Sequence, residues 1–201
     1  MNNVVKKIAV AGVLSSVVIV LGITGLGFIL LPFGAAITIL QVPVIIGAIL
    51  EGPLVGLFIG LLFGIFSIIQ SSIIAASPVD MAFVTYPFIA LIPRILIGPT
   101  AWFLYTLISG QLWNKKESQP SGMVTSIAVI IAAIIGSLVN TVLVLGGLGL
   151  LQIFPWEVIF PIAVLNGPVE AVVSSIITFI VISLWKNLHI GRGRSKLSKE
   201  K

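Results

Sequence analysis

The longest stretches of this chain without a charged residue, 8–50, 52–79, 95–114 and 118–156, constrain its fold more than any other feature. A helix crosses the roughly 30 Å hydrocarbon core of a bilayer with about 20 apolar residues. The longest stretches therefore hold two crossings, or one crossing and a turn. The residues between them do not restore a soluble composition. Charged side chains make up 8% of the chain, against about a quarter in soluble domains. Polar linkers are confined to a short segment near residue 115 and the tail after residue 186. One integral membrane domain over 1–201 is expected, with no soluble domain to house an active site or a nucleotide.

Breakers divide the apolar runs. Leu31-Pro32-Phe33-Gly34, Glu51-Gly52-Pro53, Ser77-Pro78-Val79-Asp80, the polar stretch 114–121 and the stretch 146–155 each stop a helix. They predict an all-α fold, a six-transmembrane-helix bundle with helices near 5–30, 35–50, 53–76, 83–110, 122–147 and 158–186. The second is short and suits a tilted or irregular element. Charge supports the count. Of eleven Lys and Arg residues, ten lie at Lys6 and Lys7, at Lys115 and Lys116, or in the tail from Lys186 to Lys201. With the N- and C-termini cytoplasmic, all ten fall inside, and the outer loops carry Asp80 and Glu157. The basic excess thus reads as membrane orientation and implies no nucleic-acid partner. The start, Lys6-Lys7 then "IAVAGVLSSVVIVLG", resembles a signal peptide, but no small-x-small cleavage site follows, so a retained first span is expected. With no cysteine there is no disulfide framework, thiol nucleophile or thiolate metal site.

Small residues mark helix contacts. Gly52, Gly56, Gly60 and Gly64 recur every four positions and share one face of the third helix, where a bare backbone lets a neighbour approach closely. On the first helix, Ala11 with Ser15 and Gly12 with Ser16 form two small-xxx-small pairs. These serve packing within the chain or docking to a separate membrane subunit.

Polar groups inside the apolar runs carry more information, because an ionisable side chain in the membrane costs roughly 2.5–3.5 kcal/mol unless it is paired. Arg94 and Glu170 are the two deep ones. At about 1.5 Å per residue, Arg94 lies roughly 16 Å from the outer end of the fourth helix, and Asn166 and Glu170 roughly 12 and 18 Å from that of the sixth. Asn140 of the fifth helix falls in the same outer layer. Asn166 and Glu170 share a face, and Gly167-Pro168 between them weakens the backbone ladder. One reading is an Arg94–Glu170 ion pair that pins the bundle. The other is a solute pocket open to the outside, with Arg94 meeting a carboxylate and Asn140, Asn166 and Glu170 meeting hydroxyls or amides. Thr38, Gln41, Gln70, Thr85, Tyr86 and Trp156 are further candidates on outer halves or in outer loops. Trp156 also suits an interface anchor.

Several chemistries lack their residues. There is no Walker A sequence, no H-E-x-x-H and no Cys/His cluster, so neither P-loop ATP binding nor a metal site is expected. The lone His189 lies in the tail, far from the polar layer, which argues against Ser-His-Asp chemistry and against an enzyme. Three functions remain open. They are a solute-binding transport subunit, a self-sufficient secondary carrier with Glu170 as proton site, and a structural membrane protein.

Three segments resemble the substrate-binding membrane subunit (S component) of energy-coupling factor, or ECF, vitamin transporters. They are "ITILQVPVIIGAILEGPLVGLFIGLLFGIFS" (37–67), "LIPRILIG" (91–98) and "VLNGPVEAVVSSI" (164–176). The resemblance implies a six-helix subunit in the plasma membrane that captures a vitamin from outside. It also implies docking on a transmembrane coupling protein carried by two cytosolic ATPases, so that ATP is hydrolysed by partners and this chain needs no cofactor. Such subunits dock through small residues of the first helix, commonly Ala-x-x-x-Ala; the matching stretch here is Ala11-x-x-x-Ser15. The 37–67 block is most similar to the pantothenate-type branch. A polar layer poor in aromatics disfavours a large flat ring such as riboflavin or folate; a thiamine precursor is a further alternative.

Overall fold

The computed structural model describes residues 3–30, 36–74, 78–110 and 122–192. The expected breakers at Leu31-Pro32-Phe33-Gly34 and at 114–121, and the basic residues Lys115, Lys116 and those beyond Arg192, lie outside the described residues. Among the described residues are seven helices. They are α1 Asn3–Ile23, α2 Gln41–Glu51, α3 Pro53–Ile74, α4 Pro78–Thr85, α5 Pro87–Ile108, α6 Gly122–Leu150 and α7 Trp156–Arg192. One antiparallel hairpin joins β1 (Phe28–Leu30) to β2 (Ala36–Thr38), with Phe28 opposite Thr38 and Leu30 opposite Ala36.

Among the described residues, five helical segments are long and apolar enough to cross a membrane: Val4–Ile23, Pro53–Ile74, Pro87–Ile108, Gly122–Leu150 and Trp156–Trp185. The expected second span, 35–50, is corrected. Residues 36–38 are strand, and the helix that follows has 11 residues. It is roughly 16 Å long, half the hydrocarbon core. Its residues from Gln41 to Ile49 are buried on every side, as an all-round apolar helix requires. The expected 5–30 helix also ends early, at Ile23. Gly25 adopts φ +73°, a left-handed conformation that glycine tolerates, and the chain turns there into β1. The expected 83–110 helix is two helices. Pro87 disfavours helical geometry at Tyr86, whose φ −123° and ψ 75° separate α4 from α5. Gly52 at φ +103° makes the sharp junction between α2 and α3, so it serves the turn and not the glycine stripe. Near that junction Lys6 Nζ lies 2.6 Å from Glu51 Oε1, an ion pair by distance without the alignment of a hydrogen bond.

The rest of the stripe sets the spacing of α3 and α5. A Cβ at Gly60 would sit 2.2 Å from the Arg94 carbonyl oxygen, and one at Gly98 would sit 2.6 Å from Gly56 Cα. Gly64 lies against Leu91 and Ala90 in the same way. The two backbones approach closely because the α3 face carries no side chains, and at Gly56 and Gly98 neither partner has one. The main core is built from α1, α2, α3, α5, α6 and Ile182 of α7, with Val44, Ile45, Ile59, Ile97, Ala101 and Ala132 fully enclosed. A second cluster, Ala82, Phe83, Ile89, Ala90, Val144 and Leu148, seats α4 on α5 and α6.

Candidate functional site

A cavity of about 220 Å³ opens where α3, α4, α5 and the hairpin meet. The α3 wall is Phe63, Ser67, Gln70, Ser71 and Ile74, which recur at helical period and so share a face. Phe28 of β1, Thr38 of β2 and Leu40 close one side; Asp80 and Phe83 of α4 and Arg94 of α5 complete the lining.

Arg94 owes its position to its neighbour. Pro93 has no N–H, so the carbonyl of Ile89, four residues earlier, loses its helical donor. Arg94 Nη1 supplies the missing bond, donating to Ile89 O at 3.1 Å. The guanidinium lies over the rings of Phe83 and Phe63, 4.6 and 5.5 Å from their centroids, an arrangement worth up to about 2 kcal/mol when desolvated. Arg94 is only 6% exposed, yet its Nε has no partner. No Arg94–Glu170 ion pair forms, and Asp80, which also lines the cavity, accepts from Ser71 Oγ at 2.9 Å. Glu170 acts on Arg94 only across a gap, and burying a charge without a contacting countercharge is costly. This one keeps open donor capacity beside a cavity.

Glu170 is satisfied by other means. Its Oε1 accepts the backbone N–H of Thr38 at 2.8 Å, and its Oε2 accepts the Thr141 hydroxyl at 2.8 Å. Beside it, Gln41 ties three helices together. Its Nε2 donates to Ser137 Oγ and, at 3.1 Å, to Ser174 Oγ, while its Oε1 accepts Asn140 Nδ2 at 3.3 Å. The polar layer expected from the sequence thus divides into a cavity holding Arg94 and an interior knot of Gln41, Asn140 and Glu170. Thr38 touches both.

Of the sequence candidates, Thr38, Gln70 and Arg94 line the cavity. Gln70 also donates to Gly22 O at 3.1 Å, joining α3 to the end of α1. Asn166 is half-buried on α7 with its Oδ1 enclosed and unpartnered, off the cavity wall. Thr85, Tyr86 and Trp156 are exposed; Tyr86 packs edge-on against Phe88 and Trp156 against Phe160. On α1, Ala11 and Ser15 turn into the chain's own core, whereas Gly12 and Ser16 face outward. The aromatic-poor pocket is corrected, because Phe28, Phe63 and Phe83 converge from three elements distant in sequence. Sequence reasoning missed these, together with Ser67, Ser71, Ile74 and Leu40; Asp80, expected in an outer loop, lies in the first turn of α4. The helical period from Phe63 to Ile74 was the available signal.

A family model for the ECF transporter substrate-specific component matches residues 6–182. The chain belongs to this family. It is a multi-pass membrane protein, and its kin are substrate-binding transporter components, not enzymes. Among curated proteins, the pantothenic acid transporter PanT of Lactococcus lactis subsp. cremoris (strain MG1363) is 29% identical, over 75% of this chain and 78% of that one.

Proposed function

We propose that this S component captures pantothenate from outside the cell and holds it in the 220 Å³ cavity. The observation that carries this reading is Arg94, a buried guanidinium with an unpartnered Nε and no ion pair to Glu170. A carboxylate solute supplies the missing charge. Arg94 binds that carboxylate, Thr38 and Gln70 meet the hydroxyl and amide groups, and Phe28, Leu40 and Ile74 enclose the branched carbon. The volume lies below the roughly 300–1,000 Å³ of sites for drug-sized ligands, which favours a compact solute over riboflavin or folate. The name of the Lactococcus relative supports the same cargo. The secondary-carrier reading has less support, because Glu170 lies behind the cavity wall and not on it.

In this reading the chain sits in the plasma membrane with both termini cytoplasmic, as its flanking Lys and Arg residues favour. Among the described residues five long helices cross the membrane, and the hairpin with buried α2 returns the chain to the cytoplasmic side, where Glu51 meets Lys6. A transmembrane coupling protein docks on the outward face of α1 at Gly12 and Ser16, and two cytosolic ATPases hydrolyse the ATP. This chain needs no cofactor of its own.

Binding of radiolabelled pantothenate to the protein in lipid nanodiscs tests the proposal, with pantothenol, which has an alcohol in place of the carboxylate, as competitor. Wild type is expected to prefer pantothenate strongly. Arg94→Met is expected to bind it about 100-fold more weakly, the worth of a charged hydrogen-bonded contact, and to lose that preference. Absence of saturable binding by wild type, or an unchanged preference in Arg94→Met, overturns it.

A further inference from the structure

The carboxylate of Glu170 is buried in the protein interior, yet it does not face the cavity. Its position follows from the strand geometry. Ile39 donates to Gly27 O, so positions 27 and 39 form a hydrogen-bonded pair of the hairpin. In an antiparallel ladder such pairs alternate with pairs whose N–H groups point away from the partner strand. Thr38, opposite Phe28, belongs to the second kind. Its N–H therefore leaves the hairpin outward and ends on Glu170 Oε1 at 2.8 Å, across 132 positions of sequence. The other oxygen is held by Thr141 of α6. One carboxylate thus fastens β2 to α6 and α7 together. The hairpin it fastens carries Phe28 and Thr38, two residues of the cavity wall.

We infer that Glu170 is a positioning residue, a clamp that fixes the hairpin wall of the cavity through the Thr38 N–H, and that it does not contact the solute. The clamp needs an acceptor and a short side chain, not a charge. Glutamine keeps Oε1 for the Thr38 N–H and offers Nε2 to Thr141 Oγ. Alanine removes both bonds and leaves the outward N–H without an acceptor. The effect on solute follows from the wall: a loosened hairpin releases bound solute faster while Arg94 keeps its preference for a carboxylate. The inference rests on the cavity being the binding site, but its structural half does not depend on which solute is bound.

The experiment measures amide hydrogen exchange at Thr38 by mass spectrometry, in lipid nanodiscs without solute, for wild type, Glu170→Gln and Glu170→Ala. Exchange is expected to rise about 3- to 10-fold in Glu170→Ala, matching the loss of one hydrogen bond, and to stay near wild type in Glu170→Gln. Exchange in α3 and α5 serves as the internal standard, so that general unfolding is recognised as a rise everywhere. Pantothenate dissociation is then timed on the same variants, with faster release expected from Glu170→Ala and near-normal release from Glu170→Gln. Unchanged Thr38 exchange in Glu170→Ala, or equal loss of binding in both variants, overturns the clamp. Failure of wild type to bind pantothenate overturns the cargo and leaves the exchange result standing.

Discussion

Gly60→Ala puts the packing of α3 on α5 to a direct test. A Cβ at Gly60 would lie 2.2 Å from the carbonyl oxygen of Arg94, 2.9 Å from its carbonyl carbon and 3.2 Å from Ile95 Cα. Ordinary contact begins at 3.4 Å, so α5 must recede by about 1.2 Å for the methyl group to fit. The obstructing atoms are backbone and cannot rotate away. Overpacking of this kind typically costs 1–3 kcal/mol, and a rigid helix places this site near ~3 kcal/mol. For a chain of this size each kcal/mol lowers Tm by about 2–4 °C, which gives a fall of about 6–12 °C. The recession also moves Arg94 by about an ångström, so solute affinity should fall as its contact is lengthened. Thermal unfolding in one detergent, followed by pantothenate binding, measures both. Gly12→Ala is the control: a Cβ there meets nothing within 4 Å, and its Tm should stay within the shift of an ordinary surface substitution. Equal melting of Gly60→Ala and Gly12→Ala would refute the close approach of the two backbones.

Two further substitutions separate the interior knot from the cavity. Gln41→Leu removes the shared partner of Ser137, Ser174 and Asn140. It should lower stability by about 2–4 kcal/mol, because buried polar groups lose their bonds; an unshifted thermal transition would show the knot to be dispensable. Phe83→Leu removes the ring 4.6 Å from the Arg94 guanidinium. It should cost about 1–2 kcal/mol of stability and raise amide exchange in α4 without affecting the Thr38 clamp, an outcome checked by the same mass spectrometry used for Glu170.

What the residues disclose depends on whether the interaction is local. The apolar runs made membrane helices nearly unavoidable, since the number of consecutive apolar residues needed to cross the core is fixed by its thickness. Pro87 marks the α4–α5 break in the sequence itself, although the expectation of one helix over 83–110 overlooked it. Arg94 was legible for a similar reason: a charge surrounded by apolar residues stands out, and the proline before it frees the carbonyl it binds. The hairpin was illegible, because its two short strands lie inside apolar runs whose composition suits helix equally well, and strand pairing depends on the turn between them. Expecting a full-length second helix over 35–50 failed at α2 for a related reason. Complete burial and membrane spanning demand the same apolar composition, and the two differ only in length.

The sequence by itself determined that this protein lives in a bilayer, that glycines bring α3 close to a neighbour, and that a guanidinium and a carboxylate lie in the interior. Tertiary structure alone decided that the two do not pair. Which donor reaches Glu170 depends on a strand edge 132 positions away, and which wall faces Arg94 depends on where α3, α4 and the hairpin come together. Depth along a helix follows from counting residues, because its rise is constant. The partner across a gap does not, because it depends on the rotation and register of several helices at once.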